Sequence, residues 1–250
     1  MANRLMKAYN SELTLQRGIQ LMQYISSGDD CRVNTEFKKG IASSDLGDGK
    51  MSLLENVLAD SLDLVIFKIL MVESDDSSSI EKCREKWEHK KSLSDLQKEY
   101  TENFLEAGQN STDIVSWVND NLLQINVCIE KEWKDVKFKK NSFAESQFKE
   151  ILVEIFTNAF LHGDEYIAIN FNSNDDHMFI IAENPCNNNV TGSRSGISTL
   201  ERVLDYINRE RGWECEKEPT CKSVDVMLAD KYEITIRFNK NIFVKRRIIG

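Results

Sequence analysis

Proline is nearly absent. Pro185 and Pro219 are the only two in 250 residues, so nothing before position 185 forces a break in a helix. The six cysteines, at 31, 83, 128, 186, 215 and 221, form no CxxC pair. Cys215 and Cys221 flank Pro219, but no His or further Cys stands near them to complete a zinc set. With no signal-peptide pattern at the start, reduced thiols in a cytoplasmic protein are the expectation. No long hydrophobic run is present either. The most apolar stretch, residues 62–72, contains Asp63 and Lys68 and is too short and too charged to cross a bilayer. An excess of positive charge is also missing. The formal net charge is −9, which argues against a dedicated nucleic-acid binder, and the Lys245-Arg246-Arg247 triplet reads as a solvated tail.

What is present divides into three parts. Residues 1–50 hold a short amphipathic pattern at 11–26, followed by a Gly-, Ser- and Asp-rich connector at 27–50. Residues 51–135 look helical. Leu54, Val57, Leu58, Leu62, Val65, Ile69 and Val72 recur at steps of three and four. After a polar break at 74–79, a more polar helix is expected over 80–105. A third follows over 112–133, with Ile114, Trp117, Val118, Leu122 and Ile125 on one face and a hydroxyl cap from Ser111 or Thr112. This reads as a helical hairpin or small bundle. Its first helix is apolar enough to need more than one partner surface, so a homodimer through this region and a monomeric bundle both stay open.

Residues 136–250 change character. Residues 136–139 (VKFK) alternate like a strand, and a helix is expected over 142–161. Two alternating runs at 166–171 and 178–182 are joined by a turn-rich NSNDD segment, and a loop spans 184–195. A helix over 196–211 and two more strands at 223–228 and 232–238 complete the order. Strand, helix, two strands, helix, two strands predicts an α+β fold: a two-layer sandwich with helices on one face of a mixed sheet, preceded by the helical hairpin or bundle.

The sharpest chemical signal lies on the helix FKEILVEIFTNAFLHG, residues 148–163. Phe148, Ile151, Leu152, Ile155 and Ala159 supply a complete apolar stripe. Glu154, Asn158 and His162 fall at i, i+4 and i+8, so they project in one direction. Folding does not require a carboxylate, an amide and an imidazole in register. In type and spacing, Glu154, Asn158, Ala159 and His162 resemble the E-x-x-x-N-A-x-x-H box of the histidine-kinase-like ATPases. That family unites histidine kinases, gyrase-type topoisomerases, the ninety-kilodalton heat-shock chaperones and MutL. The resemblance implies an ATP- and Mg²⁺-binding domain, in which Asn158 offers the ion its side-chain oxygen. Glu154 would polarise the attacking nucleophile, and His162 would line the nucleotide pocket.

Downstream the resemblance continues with departures. Where the family has D-x-G-x-G at a strand end, this chain has Glu183-Asn184-Pro185-Cys186-Asn187. By that alignment Glu183 takes the place of the aspartate that accepts the adenine amino proton. Pro185 and Asn187 replace glycines and add bulk where the base would lie. The second box, G-x-G-x-G-[LI], aligns with Gly192-Ser193-Arg194-Ser195-Gly196-Ile197. Gly192 and Gly196 are kept. Loop amides and a helix N-terminus would hold phosphate there, with Thr199 adding a hydroxyl and Arg194 either reaching the phosphates or blocking them. The segment between the boxes, 187–191, is a short lid.

In histidine kinases a helical hairpin before this domain presents a phosphoacceptor histidine. The three histidines here are His89, His162 and His177, and none falls in the apolar first helix, so autophosphorylation on a local histidine is not supported. Two readings follow from the resemblance. One is a nucleotide-binding protein that hydrolyses ATP or transfers phosphoryl to a protein partner, with neither membrane nor nucleic acid involved. The other is a catalytically inactive relative serving as a dimeric adaptor or phosphotransfer-like scaffold in signalling. A third reading is an unrelated helical interaction protein.

Overall fold

A computed structural model describes residues 37, 39–42, 51–71, 93–105, 111–121, 123–163, 165–185, 195–208, 221–227 and 230–243. The expected helix at 11–26, the break at 74–79, the lid at 187–191 and the basic tail lie outside the described residues. In chain order the elements are β1 (Ile41–Ala42), β2 (Met51–Leu53), α1 (Leu54–Met71), α2 (Leu93–Tyr100), α3 (Ser111–Asn121), β3 (Gln124–Ile129) and α4 (Lys131–Lys134). Then come β4 (Lys137–Lys139), α5 (Phe143–His162), β5 (Tyr166–Ser173), β6 (His177–Pro185), α6 (Ser195–Asn208), β7 (Cys221–Met227) and β8 (Lys231–Asn239). A π-helical turn, Thr101–Leu105, extends α2.

The sandwich expected from the sequence is present. A five-stranded sheet runs β3-β5-β6-β8-β7, with β3 parallel to β5 and all other pairs antiparallel. Along β5 and β6 burial alternates with period two, so Ile167, Ile169 and Phe171, and Met178, Ile180 and Ala182, face the helices. The β5–β6 turn is set by Asn174, whose Oδ1 accepts from the amides of Asp176 at 3.0 Å and His177 at 2.7 Å.

Two expectations are corrected. Residues 112–133 do not form one helix but α3, β3 and α4. Helix α3 ends at Asn121, and Asn119 in its last turn accepts the Ile125 amide on Oδ1 at 2.5 Å, which ties the start of β3 to the end of the helix. The strand at 136–139 is real as β4, but it pairs with β1 and β2 in a separate three-stranded sheet.

The apolar stripe of α1 is buried inside the chain as far as Ile66. Leu54, Val57, Leu58, Leu62, Val65 and Ile66 are buried in the common core, and α1 packs on α5 and α3. Lys149 of α5 ties the two long helices by pairing with Asp60 at 2.7 Å. The side chains of residues 67–71 lie outside the described residues. Beneath the start of α5, Trp133 is fully buried against Phe148, Phe171, Phe238 and Phe243, and its indole N–H donates to Asn172 O at 2.8 Å.

Candidate functional site

Helix α5 is the element that positions the candidate chemistry, and local sequence fixes both its ends. Ser142 caps the N-terminus by accepting from the Glu145 amide at 3.3 Å, and the Glu145 carboxylate reaches back to the Asn141 amide. Asn141 itself holds a positive φ of 60°, which asparagine tolerates better than most residues. At the far end Gly163 donates its N–H to Ala159 O at 2.7 Å. A Cβ at Gly163 would lie 2.5 Å from that same oxygen and 3.1 Å from Asn184 Nδ2, so only glycine lets α5 end directly against β6.

Around α5, residues Phe148, Ile151, Leu152, Ile155, Phe156, Ala159 and Phe160 are buried. The remaining stripe, which includes Glu154, Thr157 and Asn158, is half-buried. Glu154 and Asn158 thus stand one turn apart on one face of α5, at the margin of the core. Between them Thr157 keeps a buried hydroxyl oxygen with no hydrogen-bond partner among the described residues. His162 is the last residue of α5, and its side chain lies outside the described residues.

Glu183 is placed differently from the expectation drawn from the sequence. It alternates with Phe179 and Ile181 onto the sheet face turned away from the helices. There its carboxylate accepts from Lys231 Nζ at 3.0 Å, and Glu233 lies 3.6 Å from the same ammonium. The Glu183 carboxylate, through this hydrogen bond first and its charge second, holds the Lys231 ammonium above the usual lysine range.

The polar residue that β6 turns toward α5 is Asn184, which sequence reasoning missed. It continues the inward set Met178, Ile180 and Ala182, is buried, and touches the end of α5 at Gly163. Its Nδ2 donates to Pro185 O at 3.2 Å. The signal was available: extending the two-residue alternation of the strand past Ala182 selects 184, not 183. Pro185 remains within the strand, opposite Lys231.

Gly196 and Thr199 fall in the opening turns of α6, which packs against α5 and β7; the Thr199 side chain lies outside the described residues. Gly192 and Arg194 also lie outside them. The structure thus packs α5 against α6 and sets the C-terminal end of α5 against Asn184 of β6, and it turns Glu183 away from the helix layer. Among the described residues no group of three or more His, Cys, Asp or Glu side chains is arranged to hold a metal ion by itself. Glu154 and Asn158 still offer hard oxygen donors of the type Mg²⁺ prefers, and a bound phosphate would supply others.

No family model matches the chain, and no curated protein matches it. Among solved structures it is similar to the Acinetobacter baumannii histidine kinase AdeS, with 9% identity and a TM-score of 0.37 over 74% of this chain and 76% of that one. It is also similar to the histidine kinase domain of the Erythrobacter litoralis blue-light-activated kinase EL346, with 11% identity and a TM-score of 0.35 over 77% and 99% of the two chains. A further similarity is to the catalytic domain of histidine kinase ThkA, at 14% identity and TM-score 0.33 over 59% and 92%. Among the described residues no helix is long and apolar enough to cross a membrane.

Proposed function

We propose that this chain binds Mg-ATP where α5, the end of β6 and the start of α6 meet, and uses it for hydrolysis or for phosphoryl transfer to a protein partner in the cytoplasm. The observation that carries the reading is the pair Glu154 and Asn158. They stand one turn apart at the half-buried margin of a helix whose other faces are core, with only a glycine between that helix and β6. In this reading Asn158 presents its side-chain oxygen to Mg²⁺ and Glu154 orients the attacking nucleophile. His162 lines the pocket, and Gly192, Arg194, Gly196 and Thr199 receive the phosphates. Asn184 takes over from Glu183 as the strand residue facing the base, because its side chain is on the helix side of the sheet.

Isothermal titration with a non-hydrolysable ATP analogue, with and without Mg²⁺, tests this. Wild-type protein is expected to give Mg²⁺-dependent heat, and Asn158→Ala is expected to weaken binding at least tenfold, equivalent to about 1.4 kcal/mol. A folded wild-type protein that binds nothing at millimolar analogue would sink the reading.

A second reading, a non-catalytic adaptor built on the same fold, is favoured by one specific feature. Pro185 still sits in hydrogen-bonded strand register, and the neighbouring Glu183 is engaged by Lys231. Binding without turnover in the titrated protein would select it.

A further inference from the structure

The five-stranded sheet ends on one side at β3, whose outer edge pairs with no further strand among the described residues. Parallel pairing with β5 uses alternate residues of β3. In the register that sets Asn126 beside Ala168, the even-numbered residues turn their N–H and C=O groups toward β5. The amides of Gln124 and Glu130 mark the two ends of that ladder, donating to Glu165 O and Phe171 O. Ile125, Val127 and Ile129 therefore direct their backbone groups outward. Ile125 is closed off within the chain: Asn119 accepts from its amide at 2.5 Å and donates to its carbonyl at 3.5 Å. Val127 and Ile129 have no such surrogate among the described residues. The strand also lacks the usual protection of an edge. Its sequence, QINVCI, holds no charge and no proline. At the opposite edge β7 carries Lys222 and Asp225, and Asn208 binds both backbone groups of Cys221. Along β3 the side chains of Asn126 and Cys128 are exposed on the sheet face turned from the helices, while Val127 and Ile129 pack against the core.

We propose that a second copy of the chain pairs with this edge, β3 against β3 and antiparallel, about a two-fold axis that passes beside Cys128 normal to the sheet. The groups left open select the register. With Val127 of each copy opposite Ile129 of the other, every outward N–H and C=O of both residues is used, each pair exchanging two hydrogen bonds. A shift of two residues one way sets Ile129 opposite Ile125, whose groups Asn119 already holds. A shift the other way sets Val127 opposite Lys131, which belongs to α4. The selected register is self-complementary, as an isologous interface requires. Cys128 then meets Cys128 at the axis in a pair that is not hydrogen-bonded, with Cα atoms about 4.5 Å apart. Val127 and Ile129 form β-branched cross-strand pairs on the helix side, and Asn126 lies opposite Glu130, so no like charges are opposed. The paired edge is three residues long, about 10 Å, far less than a standard interface offers, so the dimer is weak and concentration-dependent.

Thiol cross-linking of the full chain with diamide, read on non-reducing gels across a micromolar concentration series, tests the pairing and its register. Two Cys128 residues at that Cα spacing lie within disulfide range, and each thiol gives up one hydrogen to the diamide as the S–S bond forms. The expected product is a covalent dimer that Cys128→Ser abolishes. Asn126→Cys, introduced together with Cys128→Ser, should form none, because the two copies of residue 126 lie about 13 Å apart along the paired strands. Sedimentation velocity without oxidant supplies the non-covalent arm. Cys128→Lys and Cys128→Glu each oppose like charges at the axis and should weaken self-association at least tenfold, and their one-to-one mixture should restore it. Cys128 is exposed, and circular dichroism confirms that every variant is folded. A wild type that stays monomeric in both assays, a dimer indifferent to substitution at Cys128, cross-linking as efficient from position 126, or a mixture that fails to reassociate overturns the proposal.

Discussion

Asp63 offers a quantitative test of how α1 is placed. It lies half-buried on the helix that packs against α5 and α3, and Tyr100 donates its hydroxyl to the Asp63 backbone carbonyl at 3.1 Å. Burial first, and the nearby negative charge of Asp60 second, push its carboxyl up from 3.8 to about 6. A carboxyl whose pKa rises on folding makes the folded state pay for ionisation. That cost is absent below the unfolded value near 3.8, grows as pH rises, and is complete above about 6. About two pKa units correspond to at most about 3 kcal/mol, and solvent screening of a partly exposed group reduces this to about 1–2 kcal/mol. Asp63→Asn removes the charge and keeps both the shape and the backbone bond to Tyr100. The variant should therefore be more stable than wild type by about 1–2 kcal/mol at pH 7.5, or a few degrees in Tm, and the gain should shrink toward zero as pH falls from 6 to 4. Urea midpoints for both proteins across that range provide the measurement. A gain that does not change with pH, or no gain at pH 7.5, would refute the reasoning. It would mean that this face of α1 is solvated rather than packed on the sandwich.

Other outcomes follow from the packing around α5. Gly163→Ala should cost about 1–3 kcal/mol in denaturant unfolding, because its Cβ would meet the Ala159 carbonyl at 2.5 Å, and it should also weaken nucleotide binding by separating α5 from Asn184. An unchanged midpoint would show that the α5–β6 junction is looser than described. Ser142→Ala should lose about 1 kcal/mol with the N-cap, read the same way, and should leave nucleotide affinity within twofold because the cap is at the opposite end of the helix.

Much of the sandwich was legible in the sequence because its elements carry strong periods. The inward set of α5 and the alternation of β5, β6 and β8 each announce an element. Residues 124–129 were misread because Ile125, in step with Ile114 and Val118, fits a helical stripe as well as a strand. The choice is made by Asn119 binding the Ile125 amide and by pairing with β5, a non-local partner. The fate of α1 was similarly hidden. Its apolarity was plain, but whether a second copy or the chain's own α5 covers it depends on tertiary packing. At the candidate site, the i, i+4 spacing put Glu154 and Asn158 on one face of α5, and both are half-buried there. Glu183 was chosen by matching a motif, whereas the pleat of β6 puts Asn184 on the helix side and gives Glu183 to Lys231.

Amide hydrogen exchange with and without a non-hydrolysable ATP analogue and Mg²⁺ asks most directly whether the α5–β6 junction is a nucleotide site. The account predicts Mg²⁺-dependent protection concentrated in the C-terminal half of α5, the end of β6 and the start of α6, with the protection lost in Asn158→Ala. Protection confined to other elements, or exchange that the nucleotide leaves unchanged across the chain, would contradict it.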